Sequence, residues 1–126
     1  MKKLSPILIT DEIERCLPFW RDRLGFEVTV TVPHGEKTGF AILQKGGVEV
    51  MYQTRASCEA DVPGVAPAHD GGAVLFIEVG SVDEVQEALG DAEVLVPRRK
   101  TSYGMDELFV RAPCGTVVGF AAPVGG

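Results

Sequence analysis

The hydrophobic pattern of the chain runs through the same order twice, and this internal repeat restricts the fold more than any other feature. In each half, one strand pattern is followed by apolar residues at helical spacing and then by three further strand patterns. In the first half these segments fall at residues 7–10, 13–24, 26–32, 40–43 and 48–53. In the second half they fall at residues 74–79, 82–89, 93–96, 107–111 and 117–121. The sequence predicts an α+β fold built from two β-α-β-β-β repeats.

Cap residues recur at matching places in the two halves. Asp11 with Glu14, and Ser81 with Glu84, have the spacing of capping boxes and predict the two helix starts. Pro18 lies inside the first helical pattern, so a kink or a late helix start is expected there. The predicted organisation is a single domain over residues 1–126, with repeat one at about 4–54, a connection at 55–72 and repeat two at about 73–123.

Charge restricts the partners that the chain can take. Its 126 residues include 18 acidic and 12 basic side chains, so the formal net charge is −6. The longest run of positive side chains is the short cluster Arg98-Arg99-Lys100. Nucleic acids and anionic membranes are therefore poor partners, because both favour concentrated positive charge. A small molecule that is neutral or cationic fits the charge balance better.

The apolar runs and the cysteines point to the cytoplasm. The first apolar run covers only residues 6–9, which is too short for a signal-peptide core or a membrane span. The cysteines Cys16, Cys58 and Cys114 form no C-x-x-C pair, so reduced thiols are expected.

Each strand pattern has one aliphatic face and one mixed face, because successive side chains of a strand point in opposite directions. A mixed face is typical of a partly apolar ligand pocket with a few orienting polar groups, but it also suits a sheet surface turned to water. The side chains predicted to line such a pocket are Phe40, Glu49, Met51, Gln53, Phe76, Glu78, Tyr103, Glu107, Phe109 and Arg111.

Glu78 and Glu107 are the candidate catalytic residues. Each lies beside a phenylalanine on its mixed face, and a carboxyl group near aromatic surface acquires a raised pKa suited to acid or base chemistry. The alternative is structural: Glu107 pairs with Arg111 or with a neighbouring strand, and both carboxylates reach solvent. As ligand-orienting groups, both suit a cation.

The phrase CLPFWRDRLGFE at residues 16–27 and the segment from YGM at 103–105 to APCG at 112–115 carry a family resemblance. With the doubled β-α-β-β-β order, they resemble the vicinal oxygen chelate superfamily of glyoxalase I, bleomycin-resistance proteins and extradiol dioxygenases. Members usually have Asp-Pro-Asp-Gly where this chain has Ala112 to Gly115. The resemblance implies cupped mixed sheets around a central cavity, helices on the outer faces, and pairing of two chains.

Metal-dependent members place a His or Glu on the inner face of each of four strands. Carried over strand by strand, these places hold Leu4, Met51, Val74 and Gly119, none of which offers an oxygen or nitrogen ligand. A shift of two residues would put Glu49 in place of Met51. The resemblance thus implies no metal and no cofactor.

The leading hypothesis is a metal-free protein that sequesters or senses a cationic or aromatic small molecule, similar to bleomycin-resistance proteins and acting as a homodimer. Two alternatives remain open: a metal-dependent lyase or dioxygenase of the glyoxalase kind, and a metal-free enzyme that uses Glu78 or Glu107.

Overall fold

A computed structural model of the chain describes residues 2–68 and 73–124. The chain divides into two compact units, residues 1–71 and residues 72–126. The division falls inside the connection predicted at residues 55–72.

The first unit contains a four-stranded mixed sheet. Its strands are β1 (Ile7–Thr10), β2 (Glu27–His34), β3 (Lys37–Lys45) and β4 (Val48–Thr54). They lie in the order β1-β4-β3-β2, with β1 parallel to β4 and the other neighbours antiparallel. A 3-10 segment (Ile13–Arg15), a π-helical segment (Pro18–Arg23) and the helices α1 (Arg55–Asp61) and α2 (Val65–Ala68) complete the unit.

The second unit has the same topology. Its elements are β5 (Val74–Glu78), α3 (Val82–Leu89), β6 (Glu93–Lys100), β7 (Met105–Arg111), a 3-10 turn (Pro113–Gly115) and β8 (Val117–Pro123). The strand order is β5-β8-β7-β6, again with one parallel pair, between β5 and β8. Two mixed sheets with helices confirm the predicted α+β class and the internal repeat.

Each sheet buries its aliphatic face, as the strand pattern predicted. In the first unit, Val50 and Tyr52 of β4 are buried together with Trp20 of the π-helical segment. In the second, α3 lies against β7 and β8, and its residues Val82 and Leu89 are buried. Burial of such side chains is the main favourable term in folding.

The first helical region differs from the prediction. No side chain caps the 3-10 segment, and the carboxylate of Glu14 accepts a 3.0 Å hydrogen bond from the backbone N–H of Thr38 instead. The predicted box of Asp11 and Glu14 is therefore wrong. Pro18 opens the π-helical segment at its first turn, which confirms a late start, since proline has no N–H to donate to a preceding turn. Ser81 does cap α3, accepting from the backbone N–H of Glu84 at 3.2 Å.

The predicted connection contains two helices. Residues 55–61 and 65–68 form α1 and α2, and the Thr54 hydroxyl caps α1 by accepting from the N–H of Ser57. Cys16 is fully buried. Cys58 is a free, buried thiol on α1. Within residues 2–68 and 73–124, no helix is long and apolar enough to cross a membrane.

Candidate functional site

The mixed face of the first sheet is more apolar than its predicted members suggested. The register pairs Phe40 with Gln53 and Ile42 with Met51 across β3 and β4. Exposed or half-buried aliphatic side chains surround the predicted members Phe40 and Met51; they are Ile7, Ile9, Val30, Val32 and Ile42. An exposed apolar sheet face is uncommon on a soluble protein and marks a surface that is covered in use.

Glu49 lies at one end of this face, where polar side chains surround it. Its carboxylate accepts hydrogen bonds from Gln44 (2.7 Å) and Ser5, and it pairs with the Lys3 ammonium at 2.8 Å. These contacts, with Lys3 first and Ser5 second, lower the pKa of Glu49. The carboxylate is thus held by Gln44 on β3 and by two residues before β1, and the strand pattern did not predict these contacts.

Gln53 lies toward the other end of the mixed face of the first sheet and is buried. Its side-chain amide donates a 3.3 Å hydrogen bond to the hydroxyl of Ser57 on α1. The amide is held by a helix in the region where the sequence predicted only a connection.

Two rows of side chains cross the mixed face of the second sheet. Directly paired residues on neighbouring strands share a face, so the register defines both rows. The first row contains Glu78, Ala121, Glu107 and Arg99, and the second contains Phe76, Gly119, Phe109 and Val96. The structure thus brings together the predicted pocket residues Phe76, Glu78, Glu107 and Phe109.

Glycine at position 119 lets an aromatic ring lie against the backbone of β8. A Cβ added to Gly119 would lie only 2.5 Å from Cε2 of Phe109. The ring of Phe109 in turn approaches that of Phe76, with the ring centroids 6.1 Å apart. Phe76 is 54% exposed, so this aromatic pair has one open side.

Glu107 is the most buried carboxylate of this face, with 1% of its surface exposed. Nε and Nη2 of Arg99 donate to its Oε1 at 3.1 and 2.8 Å, and the hydroxyl of Tyr103 donates to its Oε2 at 2.9 Å. Of the structural alternatives predicted for Glu107, the neighbouring strand is therefore correct and Arg111 is not. Arg111 pairs with Glu93 at 2.9 Å.

Arg99 is the site residue that the sequence analysis missed. The strand pattern predicted β6 only over residues 93–96, whereas the strand continues to Lys100. A hairpin that closes through the four residues 101–104 places Arg99 opposite Glu107. The sequence did contain a signal for this pairing. The basic cluster Arg98-Arg99-Lys100 and the acidic residues of β7 are separated by about the length of a hairpin turn.

Four positions correspond to the metal ligands of metal-dependent members, and the residues there do not fit a divalent metal ion. Leu4 precedes β1 and is 89% exposed, so its assignment to an inner strand position is wrong. Met51, Val74 and Gly119 lie on strands but supply no oxygen or nitrogen side-chain ligand. Across the described ranges, no group of three or more His, Cys, Asp or Glu residues is arranged to hold a metal ion. His69 lies outside those ranges.

The chain matches the family model of the Glyoxalase/Bleomycin resistance protein/Dioxygenase superfamily over residues 4–120. It belongs to this superfamily. No protein of curated function matched the chain.

Solved structures with the same fold include three from bacteria. TioX from Micromonospora sp. ML1 has a TM-score of 0.78 at 19% identity, covering 98% of this chain and 100% of that one. A glyoxalase/bleomycin resistance protein/dioxygenase from Nocardioides has a TM-score of 0.76 at 21% identity, covering 100% and 86%. Lactoylglutathione lyase from Agrobacterium tumefaciens has a TM-score of 0.72 at 17% identity, covering 97% and 94%. At these identities the likeness shows the fold alone.

Proposed function

We propose that the chain is a small-molecule-binding protein that works without a metal and sequesters or senses its ligand on the mixed faces of its sheets, as a homodimer. This is the role of a bleomycin-resistance-like member of the superfamily. The single observation that carries the proposal is the exposed apolar surface of these faces, above all Phe76 at 54% exposure.

The sheet edges support binding on the faces rather than strand addition. The edge strands β2 and β6 contain Pro33 and Pro97, and each shows register irregularities beside its proline. Proline cannot donate a ladder hydrogen bond, and irregular register prevents a flat edge from pairing with another strand. The β2 and β6 edges are thus protected against strand addition, while the apolar faces remain open.

The charge of the second face favours a cationic or aromatic ligand over an anionic one. Glu78 is exposed and, within the described residues, its carboxylate has no hydrogen-bonding or ionic partner. The net charge of −6 acts in the same direction, since it repels anions at long range. Aromatic compounds gain in addition from stacking against Phe76.

The two alternatives make different predictions. A metal-dependent lyase or dioxygenase requires stoichiometric Ni, Zn, Fe or Mn in the purified protein, which elemental analysis detects. A metal-free enzyme requires turnover that survives chelators and is lost on Glu78→Gln or Glu107→Gln. Both oxygens of Glu107 already accept hydrogen bonds, which favours a positioning role for this carboxylate over proton transfer.

A thermal-shift screen tests the binding proposal, because a ligand that binds only the folded chain raises its Tm. The panel contains cationic glycopeptide antibiotics, small aromatic cations, and neutral and anionic aromatic compounds. The variant Phe76→Ser removes the exposed ring of the mixed face. Val65→Ser is the matched control, since Val65 is an exposed apolar residue on α2.

We expect hits whose Tm shift is lost in Phe76→Ser and retained in Val65→Ser. A panel with no hits, or hits insensitive to Phe76→Ser and to a parallel Met51→Ser variant on the first sheet, would contradict the proposal. Light scattering of the eluting protein tests the homodimer, which predicts twice the monomer mass. The cytoplasmic location stays a prediction.

A further inference from the structure

We propose that Arg99 and Tyr103 form a recognition pair for a neutral carboxamide group on the ligand of the second sheet, held in place by the buried carboxylate of Glu107. The inference rests on the proposed binding function and adds the chemical class of the ligand's polar group. The three side chains lie in one unit, on β6, on the β6–β7 turn and on β7.

The direction of the hydrogen bonds determines what the pair presents outward. Tyr103 donates its only hydroxyl proton to Oε2 of Glu107, so its oxygen has only lone pairs left to offer a ligand. Arg99 uses Nε and Nη2 on Glu107, and within the described residues its Nη1 has no partner. An acceptor thus lies beside a donor, both joined to one carboxylate.

Both side chains are accessible while their anchor is not. Tyr103 is 65% exposed and the side chain of Arg99 is 53% exposed, whereas Glu107 is 1% exposed. A buried carboxylate that accepts charge-assisted hydrogen bonds holds its donors in fixed positions. Such a pair loses little conformational freedom when it binds, which favours recognition of a group with matching geometry.

The turn that carries Tyr103 is itself hydrogen-bonded. Two hydrogen bonds join Thr101 to Met105. In the first, the backbone N–H of Thr101 donates to the carbonyl of Met105 at 2.7 Å. The hydroxyl of Thr101 accepts from the N–H of Met105 at 3.0 Å. Gly104, at φ +84°, accepts through its carbonyl from the N–H of Val124 on the segment after β8. The position of Tyr103 is therefore fixed before a ligand arrives.

A carboxamide matches this pair better than a charged group does. Its carbonyl oxygen accepts from Nη1 of Arg99, and its N–H donates to the hydroxyl oxygen of Tyr103. A carboxylate has no proton for Tyr103, and Glu107 already balances the charge of Arg99. A cation is favoured beside Glu78 on the opposite edge strand β5, but at this pair an ammonium group has no lone pair to accept from Arg99 and is repelled by the guanidinium.

The aromatic side of the same face suits the body of such a ligand. The row of Phe76 and Phe109 adjoins the row of Glu107 and Arg99, because β7 contributes alternate residues to both. A ring attached directly to the carboxamide therefore lies toward the half-buried ring of Phe109 on β7, whereas Phe76 lies on the opposite edge strand β5. Benzamide, benzoate and benzylamine share this ring and differ in the polar group, so they form a matched set of probes.

Titration of the isotope-labelled protein with the three probes, followed by NMR, tests the inference. We expect benzamide to shift the resonances of Arg99, Tyr103 and Phe109 and to bind about three- to tenfold more tightly than either charged probe, the value of one hydrogen bond. Tyr103→Phe keeps the ring and removes the acceptor, so it should abolish this preference. Ser102→Ala removes a hydroxyl from the same turn and should leave it unchanged.

Glu107→Gln separates a positioning role from a merely structural one. This substitution leaves the charge of Arg99 unbalanced, so the preference should move from benzamide toward benzoate. Equal binding of all three probes would overturn the carboxamide inference and leave the binding proposal intact. The absence of binding by these probes and by every compound of the thermal-shift panel would overturn both.

Discussion

The indole N–H of Trp20 donates a 2.9 Å hydrogen bond to the hydroxyl of Tyr52, and both side chains are fully buried. The bond joins the π-helical segment to the middle of β4. The ring of Trp20 also meets Phe19 and Phe26 edge to face, with centroids 5.2 and 5.0 Å away. One polar contact thus fixes the orientation of the largest aromatic residue in the first core.

Tyr52→Phe should lower the free energy of unfolding by about 1–3 kcal/mol, because it leaves the buried N–H of Trp20 without this acceptor. Urea denaturation measures the change. In a double-mutant cycle with Trp20→Phe, the double variant should lose less free energy of unfolding than the two single variants lose in sum. Strict additivity would show that the hydrogen bond contributes nothing.

Gly119→Ala should destabilise the second unit by about 1–3 kcal/mol, since the new methyl group would overlap the ring of Phe109. Thermal and urea unfolding measure this cost. Phe109→Leu in the same chain should recover part of the loss by removing the ring edge. Gly47→Ala serves as the control, because an added Cβ there meets nothing within 4 Å. An equal loss in both glycine variants would contradict the packing argument.

The strands were predictable because hydrophobic alternation and glycine turns are local signals. β1 lies at the predicted residues, and the Ser81 cap of α3 depends on neighbouring positions only. The first helix was less predictable, since the pairing of Glu14 with Thr38 competes with the expected capping box. Glu14 and Thr38 are distant in sequence, so only the tertiary fold reveals that competition.

The site was predictable as a face but not as a set of contacts. Strand parity placed Phe76, Glu78, Glu107 and Phe109 together because pairing registers preserve alternation. Strand alternation did not predict the contact of Arg99 with Glu107. This pairing depends on the length of β6 and on an irregular register after Val96. Pro97 lies within this irregularity, but a proline alone does not specify by how many residues the register shifts.

Arg98→Met should weaken the attachment of α3 to its sheet. Nε and Nη2 of Arg98 donate to Asp106 at 3.0 and 2.6 Å, and Nη1 reaches Asp83 and Gln86 on α3. We expect a small loss of stability in urea denaturation, as is typical of a partly exposed ion-pair network. Hydrogen exchange should show reduced protection of α3.

Arg21→Met is the matched control for Arg98→Met. Among the described residues Arg21 pairs with its neighbour Asp22 at the surface, so its removal should change stability less than Arg98→Met does. Similar effects of the two substitutions would rule out a special role for the Arg98 network.

Acid should destabilise the chain in part through Glu49. Hydrogen bonds from Lys3 and Ser5 lower the pKa of Glu49 in the folded chain below its ordinary value of 4.5. A carboxyl whose pKa is lower when folded stabilises the folded state above its unfolded pKa. That contribution is lost as the pH falls through the folded pKa.

The Tm of the wild-type chain should therefore exceed that of Glu49→Gln at pH 7, and the two values should converge below pH 4.5. Thermal unfolding across this range measures both curves. Lys3→Met removes the strongest partner of Glu49 and should reduce the difference at pH 7. Glu59→Gln on α1 changes an exposed carboxylate whose substitution should leave the pH dependence unaltered. Parallel curves for wild type and Glu49→Gln at every pH would show that Glu49 does not couple folding to protonation.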